Sequence, residues 1–305
     1  MKNEAHNPLM CDPVTGVCEI PMEQTLSQTA IEKKESTKPI QVIYYTDPIC
    51  SSCWGIEPQL RKLKLEYGHL LNFEYKMGGL LPNWNYNSGG INKPADVGQH
   101  WDEVSQHYQM PIDGDVWVED PLHSSYPPSI AVKAAQMQDA NKALVFWRLI
   151  REQLFLQKRN ITKWEYIAEA AKNAGLDVER LKKDYTNGAA EKRFQQDLAD
   201  AREMGVRGFP SIYFIDEKGN QEFVYGSKPY NSYEQAIQTL LPNAEKKEFG
   251  KSIENLFSQY HSLTVKELAV LSEVDFETAK LQLESMAQQE KLKKTVTKNG
   301  NLYAI

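Results

Sequence analysis

Two cysteines separated by two serines, Cys50-Ser51-Ser52-Cys53, stand between an apolar run and a helical pattern, and this placement constrains the chain more than any other feature. The run Ile40-Gln41-Val42-Ile43-Tyr44-Tyr45 is β-branched and aromatic, which predicts a buried strand, and Thr46-Asp47-Pro48 ends it. Ile56, Leu60, Leu63, Leu65 and Tyr67 mostly follow helical spacing, with Gly68 as the stop. Leu71-Asn72-Phe73-Glu74-Tyr75-Lys76-Met77 alternates with period two and reads as a second strand. The order β-α-β implies parallel strands joined by a right-handed crossover. A thiolate at a helix N-terminus faces unsatisfied backbone N–H groups, which lowers its pKa. Two intervening residues let the second sulfur reach back and resolve a mixed disulfide formed on the first. On this reading Cys50 is the nucleophile, titrating below an ordinary cysteine, and Cys53 is the resolving thiol.

Residues from about 94 to 205 read as a helical block. It includes Ala131 to Ala135, Ala143 to Leu156, Trp164 to Ala174, Val178 to Tyr185 and Ala189 to Met204, with Asp177 as an N-cap and Gly175 and Gly205 as stops. Ser211-Ile212-Tyr213-Phe214-Ile215 is another buried strand. Asp216 to Asn220 turns the chain into the strand Gln221 to Tyr225, and a helix over Asn231 to Leu241, capped by Ser232, closes the unit. The fold class is therefore α/β, β-α-β then β-β-α, with a large helical insertion. Residues 1–38 read as a flexible leader carrying Cys11 and Cys18, residues 39–242 as the main domain, and residues 250–305 as a second unit beyond the charged linker Glu245-Lys246-Lys247-Glu248. Three helices and a terminal hairpin about Asn299-Gly300 make that second unit winged-helix-like.

The segment Asp47-Pro48-Ile49-Cys50-Ser51-Ser52-Cys53-Trp54-Gly55 resembles the active-site segment of the DsbA family of thioredoxin-fold oxidoreductases. It is most similar to the FrnE-like branch, whose motif runs Asp-Pro-x-Cys-x-x-Cys-Trp-Gly. Met77-Gly78-Gly79-Leu80, the helical insertion and Val206-Arg207-Gly208-Phe209-Pro210-Ser211 extend the resemblance over roughly residues 40 to 241. It implies a thioredoxin fold, a cis-proline at Pro210 lying against the sulfurs, and Trp54 and Phe209 on the substrate side. It also implies a thiol–disulfide oxidoreductase or isomerase acting on a disulfide- or thiol-containing protein. Ser51-Ser52 lacks the histidine of the strongly oxidising type, so a reductase or isomerase role fits better. A related branch, the SpxH/YjbH type, delivers a regulator to a protease, so the alternative is a redox-sensitive adaptor holding a protein client through the thioredoxin surface and the C-terminal unit.

Cys11 and Cys18 stay open between a disulfide-prone loop, a relay exchanging with the active site, a metal clip with His6, and an incidental loop. A zinc site of all four cysteines is the competing reading, but a Cys-x6-Cys pair is unusual for zinc, so no metal and no cofactor are expected. The longest apolar stretch, Ala143-Leu144-Val145-Phe146-Trp147, is far short of the roughly 18 residues of a membrane span. No export signal is read at Met1, which makes the reducing cytoplasm the expected compartment. The 35 basic and 41 acidic residues leave a net charge of −6, which argues against a protein that coats nucleic acid. From Glu245 to Ile305, nine lysines balance nine acidic residues, and the third helix opens on Asp275-Phe276-Glu277. That unit is expected to contact protein, a client or a second copy in a homodimer, rather than nucleic acid.

Overall fold

The computed structural model describes residues 12, 15–19, 38–84 and 93–305. Its first strand, β1 (Cys18–Glu19), lies within the leader, where the sequence reading placed no regular element. β2 (Ile40–Thr46) has every residue but Gln41 buried, as its continuous apolar pattern requires. The chain then makes α1 (Ser51–Gly55), α2 (Glu57–Tyr67) and β3 (Leu71–Met77). Pro58 falls in the first turn of α2, where a missing N–H costs nothing.

The insertion contains α3 (Pro94–Tyr108), α4 (Val116–Glu119), α5 (Tyr126–Gln138), α6 (Ala140–Gln157), α7 (Trp164–Asn173), α8 (Val178–Thr186) and α9 (Ala189–Glu203). As expected, Asp177 caps α8, its carboxylate accepting from the Arg180 N–H. β4 (Gly208–Phe209), β5 (Ser211–Asp216), β6 (Gln221–Tyr225) and α10 (Tyr230–Leu240) complete the β-β-α half. The sheet order is β3-β2-β5-β6, parallel between β2 and β3 and antiparallel elsewhere. Ser232 does not cap α10: the cap position is Pro229, with no side-chain bond, and Ser232 lies inside the first turn.

The C-terminal unit is α11 (Ile253–Gln259), β7 (Ser262–Thr264), α12 (Val265–Ser272), α13 (Phe276–Gln288), β8 (Lys293–Thr297) and β9 (Gly300–Ala304). Three helices and a hairpin are present as expected. The three-residue strand β7 was too short to show a period in sequence, and it pairs with β9 to widen the hairpin to three strands. α13 stops at Gln288, and Glu290 takes a left-handed conformation at φ 57°. Leu256, Phe257, Leu263, Leu268, Leu271, Leu283 and Tyr303 form a core of their own. No helix among the described residues is long and apolar enough to cross a membrane.

A buried charge cluster joins this unit to α2 and α6. Arg148 donates to both oxygens of Glu267 at 2.7 and 3.0 Å and to Glu152 at 2.6 Å. Arg61 lies 3.3 Å from the same Glu267 and donates to the Ser262 carbonyl at 2.9 Å. Glu267 is fully buried and also accepts from the Thr264 N–H, closing the capping box of α12. At the hairpin turn Lys298 reaches Asp102 and Asp115, at 2.6 and 2.7 Å, and the Asn299 amide donates to Asp102 and to the Ile112 carbonyl. The turn is thereby tied to α3 and the loop that follows it.

Removing one partner from a buried ion cluster leaves uncompensated charge and costs about 3–5 kcal/mol. Glu267→Gln removes the one carboxylate that Arg148 and Arg61 share, leaving Arg148 with Glu152 and Arg61 with Glu57, so its unfolding free energy should fall by about 3 kcal/mol in chemical denaturation. A change within about 0.5 kcal/mol would contradict the buried-cluster account.

Candidate functional site

β2 ends at Thr46, and the turn to α1 is organised by Asp47. One carboxylate oxygen accepts from the Ile49 N–H at 3.0 Å; the other accepts from the Leu80 N–H at 2.7 Å and the Ser125 hydroxyl at 2.8 Å. The Asp47 carbonyl accepts from the Cys50 N–H. A single buried side chain thus ties the end of β2, the loop after β3 and the start of α5 to the cysteine turn. Burial outweighs these hydrogen bonds and pushes the Asp47 carboxyl up to about 6.

Cys50 occupies the N-cap of α1, and its Sγ accepts from the Cys53 N–H at 3.2 Å. Both cysteines are free thiols and both are fully buried. Burial raises the Cys50 thiol above its ordinary value, and contact with Cys53 and the charge of Asp47 add to the rise. The expected lowering by the helix N-terminus is therefore absent here, because one N–H does not offset the loss of water. Burial also acts on Cys53, but the Cys50 thiol, the Thr46 and Tyr44 side chains and the charge of Arg151 outweigh it, and Cys53 is lowered. The two sulfurs titrate as a pair.

The Phe209–Pro210 peptide is cis, as the resemblance implied. Gly208 and Phe209 pair antiparallel with the leader, Cys18 opposite Phe209 and Glu19 opposite Gly208. This pairing brings the Cys18 Sγ to 3.4 Å from the Cys50 Sγ. Cys18 is itself disulfide-bonded and fully buried. Cys11 and His6 lie outside the described residues.

Trp54 and Phe209 are buried, like Cys50 and Cys53. Trp54 is 0% exposed: its Nε1 donates to the Pro111 carbonyl, its ring stacks on Phe155 at 5.4 Å, and Arg148 lies 4.4 Å from its centroid. These contacts support α1. The Phe209 ring is also 0% exposed and packs where only Gly78, lacking a Cβ, leaves room. The backbone of Phe209, not its ring, faces the leader.

Four residues escaped the sequence reading as site residues. Asp47 was visible in the motif but carried no assigned role. The Tyr108 hydroxyl donates to Ser52 Oγ at 3.1 Å, and burial pushes that phenol up to about 12. Arg151 is buried, 5.1 Å from the Trp54 centroid, and bonds Glu57 at 3.0 Å. Ser227 binds the leader through its N–H, which donates to the Gly16 carbonyl at 3.0 Å. Only Asp47 had a local signal; the others reach the site from distant segments. No group of His, Cys, Asp and Glu that could hold a metal occurs among the described residues.

A family model described as Thioredoxin matches residues 44–235. The chain belongs to the thioredoxin family. It is also 32% identical over 302 residues to the ClpXP adapter protein SpxH of Halalkalibacterium halodurans, covering 97% of each chain. It is 30% identical to the protein of the same name from Bacillus subtilis, over 86% of this chain and 88% of that one. Among solved structures, a candidate disulfide isomerase from Nitrosomonas europaea superposes with a TM-score of 0.59 at 21% identity, covering 67% of this chain and 98% of its own. The cytosolic disulfide reductase DsbM from Pseudomonas aeruginosa gives 0.53 at 20% identity, over 66% and 98%. Both likenesses show the thioredoxin-like fold.

The raised Asp47 carboxyl has a pH signature. The folded state holds the proton more tightly than the unfolded one, so stability falls as pH rises from about 4 to about 6 and levels off above. Asp47→Asn keeps an acceptor oxygen and removes this titration. Between those pH values the melting temperature of the wild type should drop relative to the variant, by an amount equivalent to about 2 kcal/mol. Parallel melting curves across the window would refute the buried-acid account.

Proposed function

We propose that this protein is an adaptor of the SpxH kind, holding a protein client and presenting it to a ClpXP-type protease in the cytoplasm. One observation carries the reading: the likeness to the SpxH adapters runs over 97% of the chain, while the solved oxidoreductase folds stop at about two thirds of it. At 97% coverage the match to the adapter takes in the C-terminal unit as well as the thioredoxin-like part. That unit is built for protein contact in charge as well. Lys298 is paired with Asp102 and Asp115, and Lys294 with Glu284, so two wing lysines are already neutralised within the chain. The burial of Cys50 beneath the leader also fits a holder of clients better than an enzyme open to any passing disulfide.

The second reading, thiol–disulfide exchange with an outside protein through Cys50 and Cys53, is favoured by the two free thiols at the start of α1 beside the cis Phe209–Pro210 loop. A homodimer through the C-terminal unit belongs to this proposal too, and sedimentation velocity tests it.

The two main readings part on the thiols. Pulse-labelled proteomes are compared in a strain lacking the protein and in strains complemented with wild type or with Cys50→Ser/Cys53→Ser. An adaptor predicts at least one protein whose half-life lengthens without it, lengthens equally without ClpX, and returns to normal with either complement. Restoration by the wild type alone would overturn the adaptor reading and leave the oxidoreductase.

A further inference from the structure

The leader is seated on the cysteine site by a built surface. β1 adds to the edge of β4, and the next residue back, Val17, is 4% exposed and faces Asp12 across an isolated bridge. The turn at Thr15-Gly16 lies on the loop at Gly226-Ser227. Gly16 and Gly226 have φ of 66° and 75°, and a Cβ on either would collide with the opposite segment. Such close backbone approach at left-handed positions admits glycine and little else. The result is an extended segment whose cysteine stands opposite Phe209, its sulfur in van der Waals contact with the Cys50 sulfur at 3.4 Å. No water fits between them. The redox states are complementary: Cys18 is in a disulfide, while Cys50 and Cys53 are free thiols.

We propose that this leader segment is a built-in substrate of the Cys50/Cys53 pair, and that the Cys18 disulfide is its intramolecular oxidant. The chain has four cysteines, so Cys11, outside the described residues, is taken as the other half of that disulfide. Cys50 passes its proton to the Cys53 sulfur, its hydrogen-bond partner, and attacks the Cys18 Sγ. The Cys50–Cys18 bond forms as the Cys18–Cys11 bond breaks, and Cys11 leaves as a thiolate that takes up a proton. Cys53 then attacks the Cys50 Sγ, giving up that proton, and Cys18 leaves and takes up a proton in its place. Two electrons pass from the active pair to the leader pair, and no outside oxidant or reductant enters. The reverse exchange runs through the same contact.

A tethered cysteine already in contact has an effective concentration that no free substrate matches, so the exchange is first order in protein. While β1 is docked, an outside disulfide has no path to Cys50. The site thus reads the oxidation state of its own leader first. The proposal is independent of the adaptor reading, which is scored by client half-life and not by the state of any sulfur.

The experiment uses the full-length chain with Cys53→Ala, which cannot resolve the mixed disulfide. After oxidation, quenching in acid and alkylation, peptide mapping without reductant should find a Cys18–Cys50 crosslink within single chains and Cys11 alkylated. Its yield should be unchanged over a tenfold range of protein concentration. Cys18→Ser/Cys53→Ala should cut that crosslink at least tenfold, with circular dichroism verifying the fold. In the wild type, prepared with the leader pair oxidised and the active pair reduced, alkylation should move over time from Cys50 and Cys53 to Cys11 and Cys18. A Cys11–Cys50 crosslink in place of Cys18–Cys50, a crosslink between two chains, or label that stays on Cys50 and Cys53 would each overturn it.

Discussion

The arrangement around the cysteines depends on one buried carboxylate. Asp47 sits where the central strand must stop and the helix must begin, and it receives hydrogen bonds from Ile49, Leu80 and Ser125. Three segments that would otherwise meet loosely beneath the site are held at fixed spacing. Burial makes this acid costly to ionise and raises its pKa in spite of its donors, yet each donor would be unsatisfied without it. The same turn sets Cys50 at the N-cap of α1 with its sulfur toward the β4 edge.

The second organising element is the cluster of Arg61, Arg148, Glu152 and Glu267 beneath the C-terminal unit. Arg148 serves two structures at once, since its guanidinium both forks onto Glu267 and lies over the Trp54 ring. Trp54, one residue beyond the CxxC pair, is therefore packed from behind by a residue that also anchors the C-terminal unit. The unit and the thiol site share this contact, which gives a physical connection between the C-terminal unit and the cysteine turn. Ion clusters of this kind specify geometry more than they add stability, because desolvation offsets much of the Coulomb attraction.

Most of the fold was legible before any coordinates. The apolar run at 40–45, the alternation at 71–77 and the turn residues at 216–220 point to one sheet because their local periodicities agree. The elements that were missed are those without a period. β1 and β7 have two and three residues, too short to show alternation, and each exists only because a partner strand supplies hydrogen bonds. Ser232 has the chemistry of a helix cap, but the helix begins earlier, at Tyr230 after Pro229. Trp54 and Phe209 flank the cysteine and proline motifs, which places them beside the site in sequence but leaves their packing open. Position along the chain does not say which way a ring points, and both rings turn into the core.

The sequence by itself determined the β-α-β frame, the Cys50-Ser51-Ser52-Cys53 pair at a helix start and the loop ending in Pro210, because each is written in neighbouring residues. It left the relation of the leader to the site open among several chemistries. Only the tertiary structure decided that relation, by pairing Cys18 with Phe209 across 191 positions of chain and placing two sulfurs in contact. The direction of the Cys50 shift was decided there as well. A helix N-terminus lowers a thiol only where water or further donors share the charge, and the leader removes the water. Contacts made between distant segments leave no local pattern, so folding alone reveals them.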